Sequence, residues 1–209
     1  MAGQDSVETQ TVALAMTGAS GALYGLQLLQ QLLAAGRRVY LMISTPGQIV
    51  IDMETQLKLP GKPREIQKVL QQLYQAAPQQ LQVFAHNQWT APVASGTGVA
   101  DAMVVCPCTM GTLASIANGL SGNLIERAAD VTLKERKTLI LVPRETPFSS
   151  IHLQNMLHLS QAGAVILPPN PGFYQQPRTL EDIVNFVVAR ILDHLGVAHT
   201  LVPAWGADS

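Results

Sequence analysis

Glycines and a serine follow the first apolar run of this sequence, in positions suited to binding an anion. Gly18, Ala19 and Ser20 open the segment that comes next. Small residues there let backbone N–H groups and the Ser20 hydroxyl approach an anion at the positive end of a helix. The segment lacks the G-x-G-x-x-G pattern of dinucleotide-binding turns, so it favours a mononucleotide. A tight turn without a ligand is the alternative.

Two further apolar runs are followed by residues with hydroxyl groups. Ser44 follows one run, and Thr109, Met110, Gly111 and Thr112 follow another. The two threonines lie one helical turn apart, where their hydroxyls could cap a helix or bind a phosphate. Because these loops would share one edge of a parallel sheet, phosphate binding is favoured over capping alone.

Charged side chains are scarce, and Arg144 and Glu145 stand together just after another apolar run. Arginine suits bidentate contacts to phosphate, and a neighbouring glutamate can accept or donate a proton. Arg127 and Lys134 belong to the same candidate set, although their spacing alone favours a solvated helix face slightly.

The two cysteines do not have the spacing of a metal or redox pair. Cys106 and Cys108 are one residue apart, whereas such pairs are usually Cys-x-x-Cys. Packed thiols at a strand end are the better interpretation. Because the five histidines form no H-x-x-x-H pair either, we predict no metal site. Reduced thiols indicate a cytoplasmic protein.

The elements that position these residues alternate along the chain. Apolar runs predict buried parallel strands at 12–16, 39–43, 81–84, 102–106, 138–142 and 164–167. Between them, helical patterns predict helices at 22–35, 48–54, 63–75, 110–118, 123–137, 149–162 and 180–195. We therefore predict one doubly wound α/β domain over 11–197. A flexible tail at 1–10 and a C-terminal tail at 198–209 flank it.

Composition narrows the classes of partner. Of the 209 residues, 47% are hydrophobic and 13% charged, and the net charge is −1. Average domains carry about 25% charged residues, so the low value favours an oligomer that hides surface. Nothing indicates nucleic acid or an anionic membrane. No apolar run reaches the roughly 18 residues of a membrane span, and the N-terminus lacks a signal-peptide pattern.

Taken together, the motifs resemble the flavin prenyltransferases of the UbiX type over residues 12–205, nearly the whole chain. The resemblance is carried by TGASGA at 17–22, PCTM at 107–110, NLIERAADV at 123–131, LKER at 133–136, LVPRETPFS at 141–149 and PGFY at 171–174. It implies a flavodoxin-like, Rossmann-type fold, a homododecamer and no metal. It also implies transfer of a dimethylallyl group from dimethylallyl phosphate to N5 and C6 of reduced FMN. The prenylated FMN would serve a partner decarboxylase of the UbiD type, in ubiquinone synthesis or aromatic acid breakdown.

The resemblance also assigns roles to individual positions. The flavin-contacting positions are Gly18, Ala19, Ser20, Ser44, Thr109, Met110, Gly111, Thr112 and Arg144. Tyr174 and Arg190 match positions that bind the prenyl phosphate, and Arg127, Lys134 and Glu145 complete the phosphate and proton-transfer site. Glu54, Trp89 and, from the tail, Trp205 match positions that close over the prenyl group. Two departures are Thr109, where the family usually has serine, and Gly111, where lysine is common.

A mechanism follows from these implied roles. Arg127, Lys134, Tyr174 and Arg190 would hold the leaving phosphate. Trp89 would face the allylic cation, and Ser20 would orient N5. Glu145 or the phosphate would accept the proton lost from C6. Ser20, Glu54, Lys134, Glu145 and Trp205 form the predicted catalytic set.

Three other functions compete. A flavin-dependent cysteine decarboxylase of related fold needs a histidine on an early helix, whereas 48–54 carries Glu54 and no histidine. A direct aromatic acid decarboxylase needs a base–substrate site that the sequence does not identify. A non-catalytic FMN-binding subunit would not need Arg127, Lys134, Arg144 and Glu145 together. Which pathway is served, and whether dimethylallyl pyrophosphate is accepted, stays open at this point.

Overall fold

Buried apolar residues form a sheet of six parallel strands at the centre of the molecule. The computed structural model describes residues 10–203. The strands are β1 (Thr11–Met16), β2 (Arg38–Ile43), β3 (Leu81–Phe84), β4 (Ala102–Cys108), β5 (Thr138–Pro143) and β6 (Val165–Ile166). Their order is β3-β2-β1-β4-β5-β6, and each pairing is parallel. The prediction of a Rossmann-type parallel sheet is confirmed.

Helices cover both faces of this sheet. They are α1 (Ala22–Ala34), α2 (Thr45–Glu54), α3 (Pro63–Leu73), α4 (Met110–Ala117), α5 (Leu124–Lys134), α6 (Ser150–Gln161) and α7 (Leu180–Leu195). Alternate residues of a strand point to opposite faces. Val12 and Leu14 therefore pack with α1, α2, α3 and α7, whereas Ala13 and Ala15 pack with α4, α5 and α6. The two cores lie on opposite sides of one sheet, which confirms the doubly wound prediction.

The predicted elements differ from the observed ones mainly at their ends. Helix α2 begins at Thr45 rather than at 48, because Ser44 caps it and Pro46 is tolerated in its first turn. Strand β4 continues through Pro107 to Cys108. Three short 3-10 helices, at Pro92–Ala94, Gly96–Gly98 and Phe173–Gln175, have no counterpart among the predicted elements.

Both cysteines are packed inside the sheet. Cys106 and Cys108 are free thiols and fully buried. Burial raises the pKa of both thiols, that of Cys108 to about 12. The interpretation as packed strand-end thiols is confirmed.

The order of strands reverses between β1 and β4, and this point positions the site. β1 leads through α1 to β2 on one side, whereas β4 leads through α4 and α5 to β5 on the other. Pairing between β1 and β4 ends at Ala15 and Val105. Connections that leave in opposite directions open a crevice beyond the carboxyl ends of the two strands, where ligands of such sheets bind.

The predicted tails fall mostly outside the described residues. Residues 1–9 and 204–209, and with them Trp205, are not among those that the structure describes. Between residues 10 and 203, no helix is both long enough and apolar enough to span a bilayer.

Candidate functional site

The loop after β1 leads into a helix whose first N–H groups bind a carboxylate of the same chain. Gly21, with φ at 112°, precedes α1 in a left-handed conformation that glycine adopts at little cost. Oε2 of Glu54, at the end of α2, accepts hydrogen bonds from the N–H groups of Gly21 at 2.9 Å and Ala22 at 2.8 Å. The positive end of α1 is therefore occupied by Glu54.

This arrangement differs from the expectation that the Ser20 loop holds a ligand anion at the end of α1. Glu54 is 33 residues from Gly21 in the sequence, and it reaches the loop only because α2 packs beside α1. Local sequence does not show such a contact. Helix α4 begins at the same edge of the sheet, so its first turn is the alternative place for a ligand anion.

Ser20, Glu54 and Arg144 form one polar cluster. Burial by itself would raise the pKa of Glu54, but it is outweighed by hydrogen bonds from the Ser20 side chain and from two backbone N–H groups, together with the charge of Arg144. The pKa is therefore lowered, which favours the carboxylate. Arg144 Nε also donates to the backbone oxygen of Ser20 at 3.3 Å. Residues from two loops and from the end of α2 thus meet at the crevice.

Hydroxyl groups cap α2 and α4 at the same edge of the sheet. Ser44 Oγ accepts a hydrogen bond from Gly47 N at 3.0 Å. Thr109 Oγ1 accepts from Thr112 N at 3.1 Å and donates to Thr112 Oγ1 at 2.9 Å. The capping alternative is therefore realised. A capped helix still has further first-turn N–H groups without helical partners, so capping and phosphate binding are compatible.

The two helix starts differ in the donors that they offer to a phosphorylated ligand. The first turn of α4 includes the N–H groups of Met110 and Gly111, which can bind a phosphate. In α2, Pro46 has no N–H group and the N–H of Gly47 bonds Ser44 Oγ. Gly18 packs against Pro46 so closely that a Cβ there would lie 2.4 Å from the proline Cβ. Ala19 is buried behind the loop. The close contact between Gly18 and Pro46 holds the loops after β1 and β2 together, and Arg144 reaches the same edge from the loop after β5.

Glu145 lies at the same strand end as Arg144 and is half-buried. Its Oε1 accepts a hydrogen bond from Thr146 N at 3.1 Å. Both residues follow β5 directly, which places a carboxylate close to the cluster.

Arg127 and Lys134 lie on α5. Arg127 Nη1 pairs with Asp130 Oδ2 at 2.9 Å, and its Nε donates to Ala94 O at 3.0 Å. Lys134 pairs with Glu135. Because Lys134 ends α5 shortly before β5 begins at Thr138, it lies at the amino edge of the sheet, opposite the edge that carries Ser20.

Tyr174 and Arg190 line a groove of about 500 Å³ beside α7. The rings of Tyr174 and Phe186 meet edge to face, with centroids 5.8 Å apart. Arg190 Nη1 pairs with Asp193 Oδ2 at 2.6 Å, and the other Asp193 oxygen lies 3.0 Å from His199 Nε2. Since α7 and α5 cover opposite faces of the sheet, one copy of the chain does not bring these residues to Arg127 and Lys134.

Trp89 is the remaining predicted site residue that the structure describes. Trp89 lies in the loop after β3 and is 50% exposed. Sequence reasoning did not single out Asp130 and Asp193, although each stands three residues after its arginine, the helical spacing of an ion pair. Within residues 10–203, no three His, Cys, Asp or Glu side chains are grouped so that they could hold a metal ion.

Comparisons with known proteins bear on the family and the fold of the chain. A family model described as Flavoprotein matches residues 2–192. The flavin prenyltransferase UbiX of Pseudomonas aeruginosa is 56% identical over 197 residues, which are 94% of this chain and 94% of that protein. The crystal structure of AnUbiX (PadA1) in complex with FMN and dimethylallyl pyrophosphate has a TM-score of 0.85 at 39% identity and covers 97% of this chain and 100% of its own. A dodecameric FMN-dependent UbiX-like decarboxylase from Escherichia coli O157:H7 has a TM-score of 0.83 at 39% identity, with 95% and 100% covered.

Proposed function

The chain belongs to the flavin prenyltransferases of the UbiX type, and from this premise we propose a specific reaction and a specific site. The enzyme transfers the dimethylallyl group of dimethylallyl phosphate to N5 and C6 of reduced FMN. The observation that carries the site is the cluster of Ser20, Glu54 and Arg144 at the point where the strand order reverses.

FMN occupies the crevice between β1 and β4 in this proposal. Support comes from AnUbiX, whose structure holds FMN and dimethylallyl pyrophosphate. The contacting residues are Gly18, Ala19, Ser20, Ser44, Thr109, Met110, Gly111, Thr112 and Arg144. When bound in its reduced form, the flavin supplies the nucleophilic nitrogen and ring carbon that an allylic electrophile requires.

Ser20 and Glu54 act together on a proton. The hydrogen bond between the Ser20 side chain and Glu54 lowers the pKa of the carboxyl, so Ser20 donates and Glu54 accepts. The Ser20 oxygen then has lone pairs available for a donor of the bound ligand. When N5 of reduced FMN forms its bond to the dimethylallyl group, the proton that N5 loses goes to Ser20 Oγ, and Ser20 passes its own hydroxyl proton to the Glu54 carboxylate. Glu145, at the end of β5, or the released phosphate accepts the proton that C6 loses when the second bond forms.

The leaving phosphate is bound by residues of more than one copy of the chain. Arg127 and Lys134 lie on one face of the sheet, and Tyr174 and Arg190 on the other. A single phosphate contacts all four only where subunits meet. Preorganised cations of this kind stabilise negative charge as it develops on a leaving group. Trp89 and Trp205 supply aromatic faces for the allylic cation.

A homododecamer supplies those subunit contacts, as the E. coli homologue is dodecameric. Helix α6 supports association, because Leu153 and Leu157, which are neighbours one turn apart on its surface, are 54% and 57% exposed. Apolar patches of this kind are usually covered by a partner. The product, prenylated FMN, passes to a decarboxylase of the UbiD type.

Direct decarboxylation of a substrate is the second candidate, favoured by the name of the E. coli homologue. One anaerobic experiment separates the two. The protein is mixed with reduced FMN and an aromatic acid, together with dimethylallyl phosphate in one arm and the pyrophosphate in the other. The flavin is then weighed by mass spectrometry, and released carbon dioxide is measured. We expect a gain of one dimethylallyl group. An unchanged flavin mass in both arms, with carbon dioxide released from an aromatic acid, would support the decarboxylase instead.

A further inference from the structure

We propose that Thr17 is a positioning residue for the flavin site. This inference rests on the proposed function, because it concerns how the loops around the crevice are held. Thr17 lies between the last residue of β1 and Gly18, and its hydroxyl joins the loop after β1 to the end of β4 and to Thr109, which precedes α4.

Both hydrogen-bonding roles of the hydroxyl are used. Thr17 Oγ1 donates to the backbone oxygen of Pro107 at 2.8 Å and accepts from the backbone N–H of Thr109 at 2.8 Å. The backbone N–H of Thr17 donates to the same Pro107 oxygen at 3.1 Å. The side chain is buried, with 3% of the residue exposed, so water does not replace these bonds when the hydroxyl is removed.

The hydroxyl stands where the pairing of the two strands stops. The ladder between β1 and β4 ends at Ala15 and Val105, and the register of β4 against β5 shifts between Val105 and Cys108. Pro107 has no N–H group to donate. The Thr17 side chain therefore adds two hydrogen bonds beyond the last pair of the ladder, beside the single backbone bond from Thr17 N to Pro107 O.

This link orients groups on both sides of the crevice. Thr109 is the N-cap of α4, and its side chain bonds Thr112. Gly18, Ala19 and Ser20 follow Thr17 directly in the chain. The loop after β2 is tied to the same point, because the Ser44 N–H donates to Met16 O at 3.0 Å. Residues 16 and 17 thus hold three ligand-binding loops in register.

The alternative is that Thr17 contributes to stability alone. Thr132 offers a matched control, because it is equally buried, with 2% exposed. Its hydroxyl donates to Ala128 O at 2.7 Å within α5, away from the crevice loops. Replacing either threonine by valine removes one buried hydroxyl and keeps the shape of the side chain.

The experiment compares Thr17→Val, Thr17→Ser and Thr132→Val in the full-length protein. FMN fluorescence titration gives the Kd, thermal unfolding gives the Tm, and turnover gives KM for FMN and for dimethylallyl phosphate separately. We expect Thr17→Val to raise the Kd and the KM for FMN by about tenfold or more, the effect of leaving a buried group unpaired. Thr17→Ser should restore both, and Thr132→Val should lower the Tm with the Kd within about twofold of wild type.

An FMN Kd that is unchanged in Thr17→Val, or raised equally in Thr132→Val, would overturn the proposal. If Thr17→Val does not fold, Thr17→Cys replaces it, because a thiol is a weak donor and a weak acceptor. The proposal then requires that the FMN Kd of Thr17→Cys lie above the wild-type Kd and below ten times that value. A wild-type protein that takes up no FMN would refute the proposed function itself, which the titration reveals before any variant is compared.

Discussion

Two regions of the molecule hold polar side chains in different ways. At the carboxyl edge of the sheet, Ser20, Glu54 and Arg144 contact one another and the ends of helices within a single chain. On α5 and α7, Arg127 and Arg190 are half-buried or exposed, and each pairs with a carboxylate three residues later. The first region is organised before any ligand or partner binds, whereas the second places its cations on the outside of the chain.

The difference between the two regions suits them to different ligands, the flavin and the phosphate of the prenyl donor. A preorganised site needs little rearrangement when its ligand binds. The cluster of Ser20, Glu54 and Arg144 is therefore suited to binding the flavin. Exposed ion pairs contribute little to stability because water screens them, so these cations are available to exchange a carboxylate for a phosphate. Association of copies would bring the two regions together.

The largest expected effect concerns the proton acceptor beside the preorganised region. Glu145→Gln keeps the size of the side chain but cannot accept a proton, so turnover should fall by about 10² to 10⁴ while FMN binding is kept. Fluorescence titration of FMN beside a timed assay of prenylated product measures both. Glu65→Gln, on exposed α3, serves as the control. Wild-type turnover in Glu145→Gln would leave the phosphate as the proton acceptor.

Lys134 tests whether the second region acts across copies. Lys134→Gln removes a charge that the leaving phosphate would contact, so kcat/KM for dimethylallyl phosphate should fall by about ten- to a hundredfold. FMN affinity should be unchanged. Lys137→Gln, at the same end of α5, is the control and should retain activity.

Mixed oligomers of two inactive variants distinguish a site that two subunits share from a site within one subunit. Oligomers assembled from Lys134→Gln and Glu145→Gln subunits contain some sites with both native residues if the two come from different copies. We expect activity above that of either variant alone. If mixed oligomers are no more active than the average of their components, both residues act within one chain.

Glu54 tests the first region through its pH dependence. Its lowered pKa means that its contribution to stability is present above the ordinary carboxyl pKa of about 4.3 and is lost as the pH falls through the lowered value. Glu54→Gln should lower the Tm at pH 7 by about 2 to 4 °C, since caps contribute about 1 kcal/mol. Thermal unfolding from pH 7 to acid should show the two proteins converging. A constant difference in Tm would mean that the Glu54 charge does not stabilise α1.

The smallest effect is expected at Gly111, a position where the resemblance described for the sequence implies lysine. A Cβ there would lie 4.0 Å from Thr109 Oγ1, so a side chain fits. At low salt, Gly111→Lys should bind FMN about two- to fivefold more tightly than Gly111→Ala, because a lysine ammonium near the FMN phosphate attracts it. The gain should disappear at high salt. Equal affinities of the two variants at low salt would place the phosphate away from α4.

The sequence predicted the elements and the loops well because both depend on local signals. Helix α7 was predicted at 180–195 and is observed at Leu180–Leu195, since its apolar period and its terminal glycine are contained in the segment itself. Helix α2 was predicted three residues short, because Pro46 and Gly47 are typical of loops and the capping role of Ser44 was not considered. The roles of the site residues stay predictions, and the variants above test them.

The sequence by itself determined a parallel α/β sheet, the loops that carry Ser20, Thr109 and Arg144, and the family. Only the tertiary structure decided that Glu54 occupies the end of α1. It also decided that α5 and α7 cover opposite faces of the sheet. The physical reason is distance along the chain: periodicity and capping act over a few residues, whereas the packing of one helix beside another depends on how the whole sheet is connected.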